Sequence, residues 1–264
     1  MGSLSRDVSV AARAVERGAE VIRAAGLGGA ASVQVKSVAG DYVTEVDLEA
    51  ERAIAELLAA EGGGVGVHGE ESGGVDPDNA WVVDPLDGTT NFAHGLPMVG
   101  VSVALVQEGA PVAGAVCAPF LGHTWVAGRG EGAWLSGAGS NTRRLRVSDR
   151  SVERAVVATG FPFRRKDLVP RYLRAFEAAL SRFEDLRRPG AAALDLAWVA
   201  AGVFDGFFEL ALAPWDVAAG GLLIEEAGGT VSDWSGGDGW LQGDILAGPQ
   251  VVHAALLDAA RIGG

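Results

Sequence analysis

Residues 81–92 read Trp-Val-Val-Asp-Pro-Leu-Asp-Gly-Thr-Thr-Asn-Phe. A short apolar run, Trp81 to Val83, stops at two carboxylates, Asp84 and Asp87, set around a proline and followed by Gly88, Thr89 and Thr90. Acids placed where a strand ends sit at a sheet edge, where ligands bind in open α/β sheets. Carboxylates this close repel each other. The remedies are a shared proton or a hard cation, and an oxygen-only cluster suits Mg²⁺ or Mn²⁺. Gly88 and the threonines add backbone N–H groups and hydroxyls, which are donors for a phosphate. Taken alone, the segment is also compatible with an acidic turn that does no chemistry, the weaker of the two readings.

Two further segments bear on that choice. His-Gly-Glu-Glu-Ser at 68–72 follows the apolar residues Val65 and Val67, and Pro-Trp-Asp-Val-Ala-Ala-Gly at 214–220 opens a helical pattern. Each puts acids at the end of a regular element. Together they can supply Glu70, Glu71, Asp84, Asp87 and Asp216 to one site.

Gly69–Ser72, Asp84–Phe92 and Trp215–Gly220 resemble, in the same order, the signature segments of the inositol monophosphatase family of Mg²⁺-dependent, Li⁺-sensitive phosphatases. Lys36-Ser37 with Asp41–Asp47, then Ala158–Phe163, Arg187–Asp195 and Asp205–Glu209, are similar to other stretches of that family. The resemblance therefore covers about residues 36–230. It implies an α+β fold, a layered α-β-α-β-α sandwich of the inositol monophosphatase / fructose-1,6-bisphosphatase type. It also implies Mg²⁺-dependent hydrolysis of inositol 1-phosphate or a related small polyol phosphate, with Mn²⁺ as a possible substitute.

Carried over residue by residue, the resemblance assigns Glu70, Asp84 and the Leu86 carbonyl to one ion. It assigns Asp84, Asp87 and Asp216 to a second, and Glu70 to a weaker third. Asp47, Glu70 and Thr89 are the implied catalytic residues, with the Asp47–Thr89 pair orienting the attacking water. Asp87, Gly88, Thr89, Ala192, Glu209 and Asp216 are the implied substrate contacts. Glu209 would accept hydrogen bonds from substrate hydroxyls, since an ionised carboxylate only accepts and hydroxyls donate.

Other readings stand beside these. Asp47 lies three residues after Thr44, a capping-box spacing, and Asp216 suits a helix N-terminus. Glu71 is either a support behind the ligands or an exposed acid. Lys36 is either a phosphate contact or a surface cation, and Glu209 is either a hydroxyl acceptor or an acid at a strand end. Arg188-Pro189 and Ala191 depart from the family's usual residues. Relatives that act on fructose 1,6-bisphosphate or histidinol phosphate, or that bind within the transcription machinery, remain alternatives. Haloacid-dehalogenase-type phosphatases carry Asp-x-Asp, whereas here the acids are three apart, on opposite faces of a regular extended chain.

Bulk properties narrow the classes further. The 264 residues suffice for one large or two small domains, with 48% hydrophobic content. A net charge of −13 argues against nonspecific nucleic-acid binding. It does not exclude a small phosphorylated substrate, because bound cations reverse the local field. Cys117 is the only cysteine, no run is long enough to span a bilayer, and no hydrophobic leader is present, so a cytoplasmic protein with no membrane contact is expected. Cys117 lies among apolar neighbours and reads as packing. The four histidines show no ligand spacing. The family resemblance and the apolar run Met98–Val106 suggest a homodimer.

These residues must be positioned by regular elements. Three- and four-residue apolar steps predict helices over 6–25, 45–60, about 168–182, 190–202 and 215–227, and Pro249 opens a last one to Ala260. Strands are predicted at 65–68, 81–84, 99–107, 111–118, 123–127, 132–135, 154–159 and 204–210, with a hairpin turn at Glu108-Gly109. The basic run Asn141–Arg146 marks a soft boundary between an N-terminal α+β metal-binding part, 1–145, and a C-terminal substrate-side part, 146–264.

Overall fold

Apolar residues on both faces of a strand require cover on both sides, and the central strand of this protein shows how that cover is built. In the computed structural model, which describes residues 4–28, 33–35, 42–137 and 140–263, the chain opens with α1 (Arg6–Ala25). The antiparallel pair β1 (Val33–Val35) and β2 (Tyr42–Thr44) and then α2 (Glu45–Glu61) follow. Next come β3 (Val67–Gly69), β4 (Gly73–Gly74), β5 (Ala80–Asp87), the short α3 (Thr89–Ala93), β6 (Gly100–Gln107), β7 (Ala110–Ala118), β8 (His123–Gly128), β9 (Gly132–Gly137) and β10 (Ser140–Arg144). The second half holds β11 (Val156–Thr159), α4 (Val169–Arg182), β12 (Asp185–Arg187), α5 (Ala192–Ala200), β13 (Gly206–Glu209), α6 (Pro214–Glu226), β14 (Thr230–Ser232), β15 (Ile245–Gly248) and α7 (Gln250–Gly263).

Along β5, Trp81 and Val83 enter the core shared with α1 and α2, while Ala80 and Val82 enter the core shared with α5 and α6. Double burial explains why β5 and β6 read as near-continuous apolar runs. The larger sheet has the order β10-β9-β8-β7-β6-β5-β3-β4 and is antiparallel except for β3 beside β5. The smaller sheet has the order β12-β11-β13-β15-β14, with β11 parallel to both β12 and β13. Helices α5 and α6 lie between the sheets, α1 and α2 cover the outer face of the larger one, and α4 and α7 that of the smaller. This is the layered α-β-α-β-α sandwich.

The middle helices differ in composition from the outer ones for a physical reason. Outer helix α1, started by the Ser5 side chain, buries Val8, Val15 and Ile22 and turns Arg and Glu outward. Helix α6 is apolar nearly all round, as a helix buried on both sides must be. Small residues let it approach its neighbours. A Cβ at Gly220 would stand 2.5 Å from Leu196 of α5, and one at Gly114 of β7 would stand 3.1 Å from the Ala219 backbone.

Several elements differ from the sequence expectation. The strand predicted at 154–159 begins at Val156, because Val152–Arg154 forms a 3₁₀ turn. The segment 204–210 shortens to Gly206–Glu209, and 190–202 shortens to Ala192–Ala200. β1, β2, β4, β10, β12, β14, β15 and α3 carry no prediction. Each has five residues or fewer, too short for a periodicity to register. The basic run is an edge strand whose exposed Arg143 and Arg144 discourage edge-to-edge pairing. Among the described residues, no helix is long and apolar enough to cross a membrane.

The predicted hairpin turn joins β6 to β7 with Glu108 at φ 52° and Gly109 at φ 72°. Both central residues are left-handed, the geometry that favours Asn-Gly. Glu108→Asn is expected to stabilise the protein by about 0.5–1 kcal/mol, seen as a higher urea midpoint at unchanged slope. A lowered midpoint would show that Glu108 carries no backbone strain.

Candidate active site

The site begins where β5 departs from regular geometry. Asp84 pairs with Ser102 and Asp87 with Gly100, so three residues of β5 advance against two of β6. Pro85 has no N–H to give the ladder, and the Leu86 N–H donates to Asp84 Oδ1 at 3.0 Å. The resulting bulge brings Asp87 back beside Asp84. On a regular strand acids three apart diverge; here the expected divergence is absent. Carboxylate oxygens of Asp84, Asp87 and Asp216 all lie within 4.8 Å of one another, and all three residues are buried.

Two of these acids are tethered at the starts of the middle helices. No side chain caps α5 at Ala191. Instead Asp87 Oδ2, from the facing strand, accepts the Ala193 N–H at 2.8 Å. At α6, Asp216 Oδ2 accepts the Ala213 N–H at 2.6 Å. The Trp215 carbonyl accepts from Ser102 Oγ at 3.0 Å, which pins this helix end to β6. Carboxylates at helix N-termini satisfy orphan N–H groups and gain from the dipole.

Glu70 follows β3, held beside β5 by its N–H to the Val83 carbonyl at 3.0 Å. It lines the same cavity, and its carboxylate is 3.7 Å from the Arg164 guanidinium. The turn carrying Glu70 rests on Glu51 of α2, whose carboxylate accepts the N–H groups of Glu71 (2.8 Å) and Ser72 (2.9 Å). The Glu71 side chain does not line the cavity. Lys36 lies outside the described residues.

Asp47 and Thr89 meet as expected. Asp47 Oδ1 accepts the Thr89 hydroxyl at 2.9 Å, while Oδ2 accepts the Thr44 N–H at 2.9 Å. One carboxylate thus caps α2 and holds Thr89, so the two readings of Asp47 coexist. Asp47 stands behind Thr89 and outside the cavity lining. Thr89 Oγ1 is also 3.1 Å from the Leu86 carbonyl. Gly88 has φ 87°, and a Cβ there would stand 2.9 Å from the Met98 carbonyl, so only glycine fits.

The opposite wall comes from the smaller sheet. Parallel strands β11 and β13 end side by side at Thr159 and Glu209. A Cβ at Gly160 would lie 2.1 Å from the Glu209 carboxylate, so glycine lets the loop pass. That loop contributes Phe161, Phe163 and Arg164, and the Arg188 guanidinium lies 5.3 Å and 5.1 Å from the two phenyl rings. Ala192 and Asp195 of α5 complete the lining of a cavity of about 290 Å³, small even for a ligand pocket.

Glu51 and Arg164 had no sequence signal as site residues, whereas Phe161, Phe163, Arg188 and Asp195 lie in family-like stretches and only the structure shows that they line the cavity. Only the Asp47–Glu51 spacing, one helical turn, could have flagged Glu51. None of the histidines lines the cavity; His68 stacks on Trp215 with centroids 5.6 Å apart. Burial pushes the Cys117 thiol up to about 11, which fits a packing role. Asp205 serves the fold, its carboxylate accepting from Arg150 and the Val156 N–H, both at 2.7 Å.

Burial is the main reason that these carboxyls titrate high, and mutual repulsion adds to it. Asp84 is pushed well above the usual range by burial, then by Glu70, Asp87 and Asp216. Burial raises Asp87 to about 6 against the Ala193 N–H, and burial with Glu70 and Asp87 raises Asp216 to about 7. Glu209 is raised well above its ordinary value by burial and Asp216, with Arg188 opposing. An all-oxygen, buried, mutually repelling donor set fits a hard divalent cation, which would remove the repulsion.

With this geometry in place, the relationship to known proteins is direct. The model of the inositol monophosphatase family matches residues 4–262. The chain belongs to the inositol monophosphatase family. It is 42% identical to the putative Nus factor SuhB of Neisseria meningitidis over 91% of this chain and 92% of that protein. It is 43% identical to an inositol-1-monophosphatase of Mesorhizobium japonicum over 84% of each. The solved extragenic suppressor protein suhB of Bartonella henselae superposes with a TM-score of 0.88 at 38% identity, covering 97% of this chain and 99% of that one. Its likeness to the Bartonella structure extends over the two-sheet frame, and in this chain the acid-lined cavity lies between the sheets at the starts of the middle helices.

Raised carboxyl pKa values have a defined sign. The folded, metal-free cluster holds protons that the unfolded chain has released, so its contribution to stability is full below the ordinary carboxylate range. That contribution is lost as pH rises through about 6–7. A cation competes with those protons. Excess MgCl₂ is therefore expected to raise the melting temperature more at about pH 8 than at about pH 5. Equal shifts at both values would rule out cation binding by this cluster.

Proposed function

We propose that this chain is a divalent-cation-dependent phosphomonoesterase acting on inositol 1-phosphate or a related small polyol phosphate. The observation that carries the reading is the convergence of Asp84, Asp87 and Asp216 in one small cavity whose far wall holds Glu209. Mg²⁺ is the cation best suited to these oxygens, with Asp84, Asp87, Asp216, Glu70 and the Leu86 carbonyl as its holders. When bound, it supplies charge neutralisation at the phosphoryl oxygens and acidifies the attacking water.

The chain's own residues do the rest. The Thr89 hydroxyl donates to Asp47, which leaves its oxygen lone pair to accept a proton of the attacking water and aim it. The N–H groups of Gly88 and Thr89 take phosphate oxygens, and the α5 and α6 N-termini add positive potential. Glu209 accepts hydroxyls of the alcohol part, with Ala192 leaving it room. Water forms the new P–O bond, the ester P–O bond breaks, and the departing oxygen takes up a proton.

A second reading, a binding protein of the transcription machinery, is favoured by the Nus-factor name of the Neisseria relative. It is compatible with a working site. The family resemblance also carries the proposal of a two-fold homodimer.

Activity on inositol 1-phosphate is expected to vanish in excess EDTA and return with Mg²⁺. Asp84→Asn should lower kcat/KM roughly a thousandfold, about 4 kcal/mol. It should spare the melting temperature of the metal-free protein, because Asp84 is held toward its neutral form there. Full turnover by Asp84→Asn would sink the metal reading, whereas a wild-type protein with no turnover in Mg²⁺ would put the binding-protein reading in front. Glu209→Ala should lower kcat/KM for inositol 1-phosphate by about 1–3 kcal/mol and that for p-nitrophenyl phosphate much less. Equal losses would assign Glu209 to the fold or the cation instead.

A further inference from the structure

Eight acids are buried among the described residues: Asp47, Glu51, Asp84, Asp87, Asp195, Asp205, Glu209 and Asp216. Six of them receive a hydrogen bond from the protein. The two side chains that receive none are Asp195 and Glu209, and both line the same cavity. An unpaired buried carboxyl is costly, and α5 otherwise buries only apolar side chains at this point (Ala193, Leu194, Leu196, Ala197). An aliphatic residue at 195 would pack without that cost.

The position of Asp195 says what it faces. It is 1% exposed, one turn into α5 from Ala192, with Oδ1 unpartnered. It lines one cavity together with Asp87 of the acid cluster and Glu209 and Arg188 of the far wall. The Arg188 guanidinium, held by Phe161 and Phe163, brings N–H donors to the same region.

We propose that Asp195 is a second specificity-determining acid, paired with Glu209, that accepts hydroxyls of the alcohol part of the phosphoester and so selects an uncharged polyol. The inference rests on the phosphomonoesterase reading above and narrows its substrate class. Two acceptors and one donor around the same space match hydroxyls, which donate and accept. A second phosphate there would meet two acids, and a plain aryl group would leave both acids unpaired.

The test uses the full chain with Mg²⁺ and compares wild type, Asp195→Asn and Asp195→Ala on inositol 1-phosphate and p-nitrophenyl phosphate. Melting temperatures are read without substrate. Both variants are expected to lose kcat/KM on inositol 1-phosphate by roughly ten- to a hundredfold and on the aryl phosphate by less than about threefold. Their melting temperatures should be equal to or above that of wild type, because a buried unpaired acid has been removed. Equal losses on both substrates, or a lower melting temperature in both variants, would make Asp195 a structural residue and overturn the proposal. A wild-type preference for the polyol that survives Asp195→Asn overturns the role of Asp195 alone. A wild type that hydrolyses the aryl phosphate with no polyol preference removes the polyol reading and this inference with it.

Discussion

The burial of like-charged carboxylates is the constraint around which this protein is arranged. Asp84, Asp87 and Asp216 are brought within 4.8 Å of one another, out of water. Each is retained because a backbone N–H points at it, from Leu86, Ala193 and Ala213. Two of those donors belong to helix starts, so α5 and α6 must both begin at the cluster. An acid from the larger sheet caps a helix of the middle layer, which welds the site to the fold.

The middle layer then sets the spacing of everything else. Because α5 and α6 are covered on both sides, their surfaces are apolar, and their small residues draw them together and toward the sheets, as at Gly220 against Leu196 and Gly114 against Ala219. The smaller sheet sits on the far side of these helices and ends its parallel strands at Thr159 and Glu209. The cavity is the gap between the two sheets at the helix starts. Its near wall carries Asp84, Asp87 and Asp216, and its far wall carries Glu209. The same arrangement leaves Asp195 and Glu209 without protein donors, a cost that a bound substrate can offset.

Much of this was legible in the residues. Long helices with sustained apolar steps and strands of six or more residues stand close to where the pattern put them, and the acids that cluster are among those the motifs named. Short strands such as β12, β14 and β15 are legible only through their partners, because three or four residues cannot establish a period. Asp47 appeared to face a choice between capping and chemistry. In the structure its two oxygens divide those tasks.

By itself, the sequence determined the family, the order of the principal elements and the identities of the acids that cluster, because local motifs and periodicity are properties of neighbouring residues. Tertiary structure alone decided that acids three apart share one face, because the bulge at Pro85 depends on pairing with β6. It alone placed Arg164 beside Glu70, set Arg188 against two phenyl rings and left Asp195 without a donor. Those relations join residues up to a hundred positions apart. They come from packing two sheets against one helix layer, a constraint that no local stretch of the chain contains.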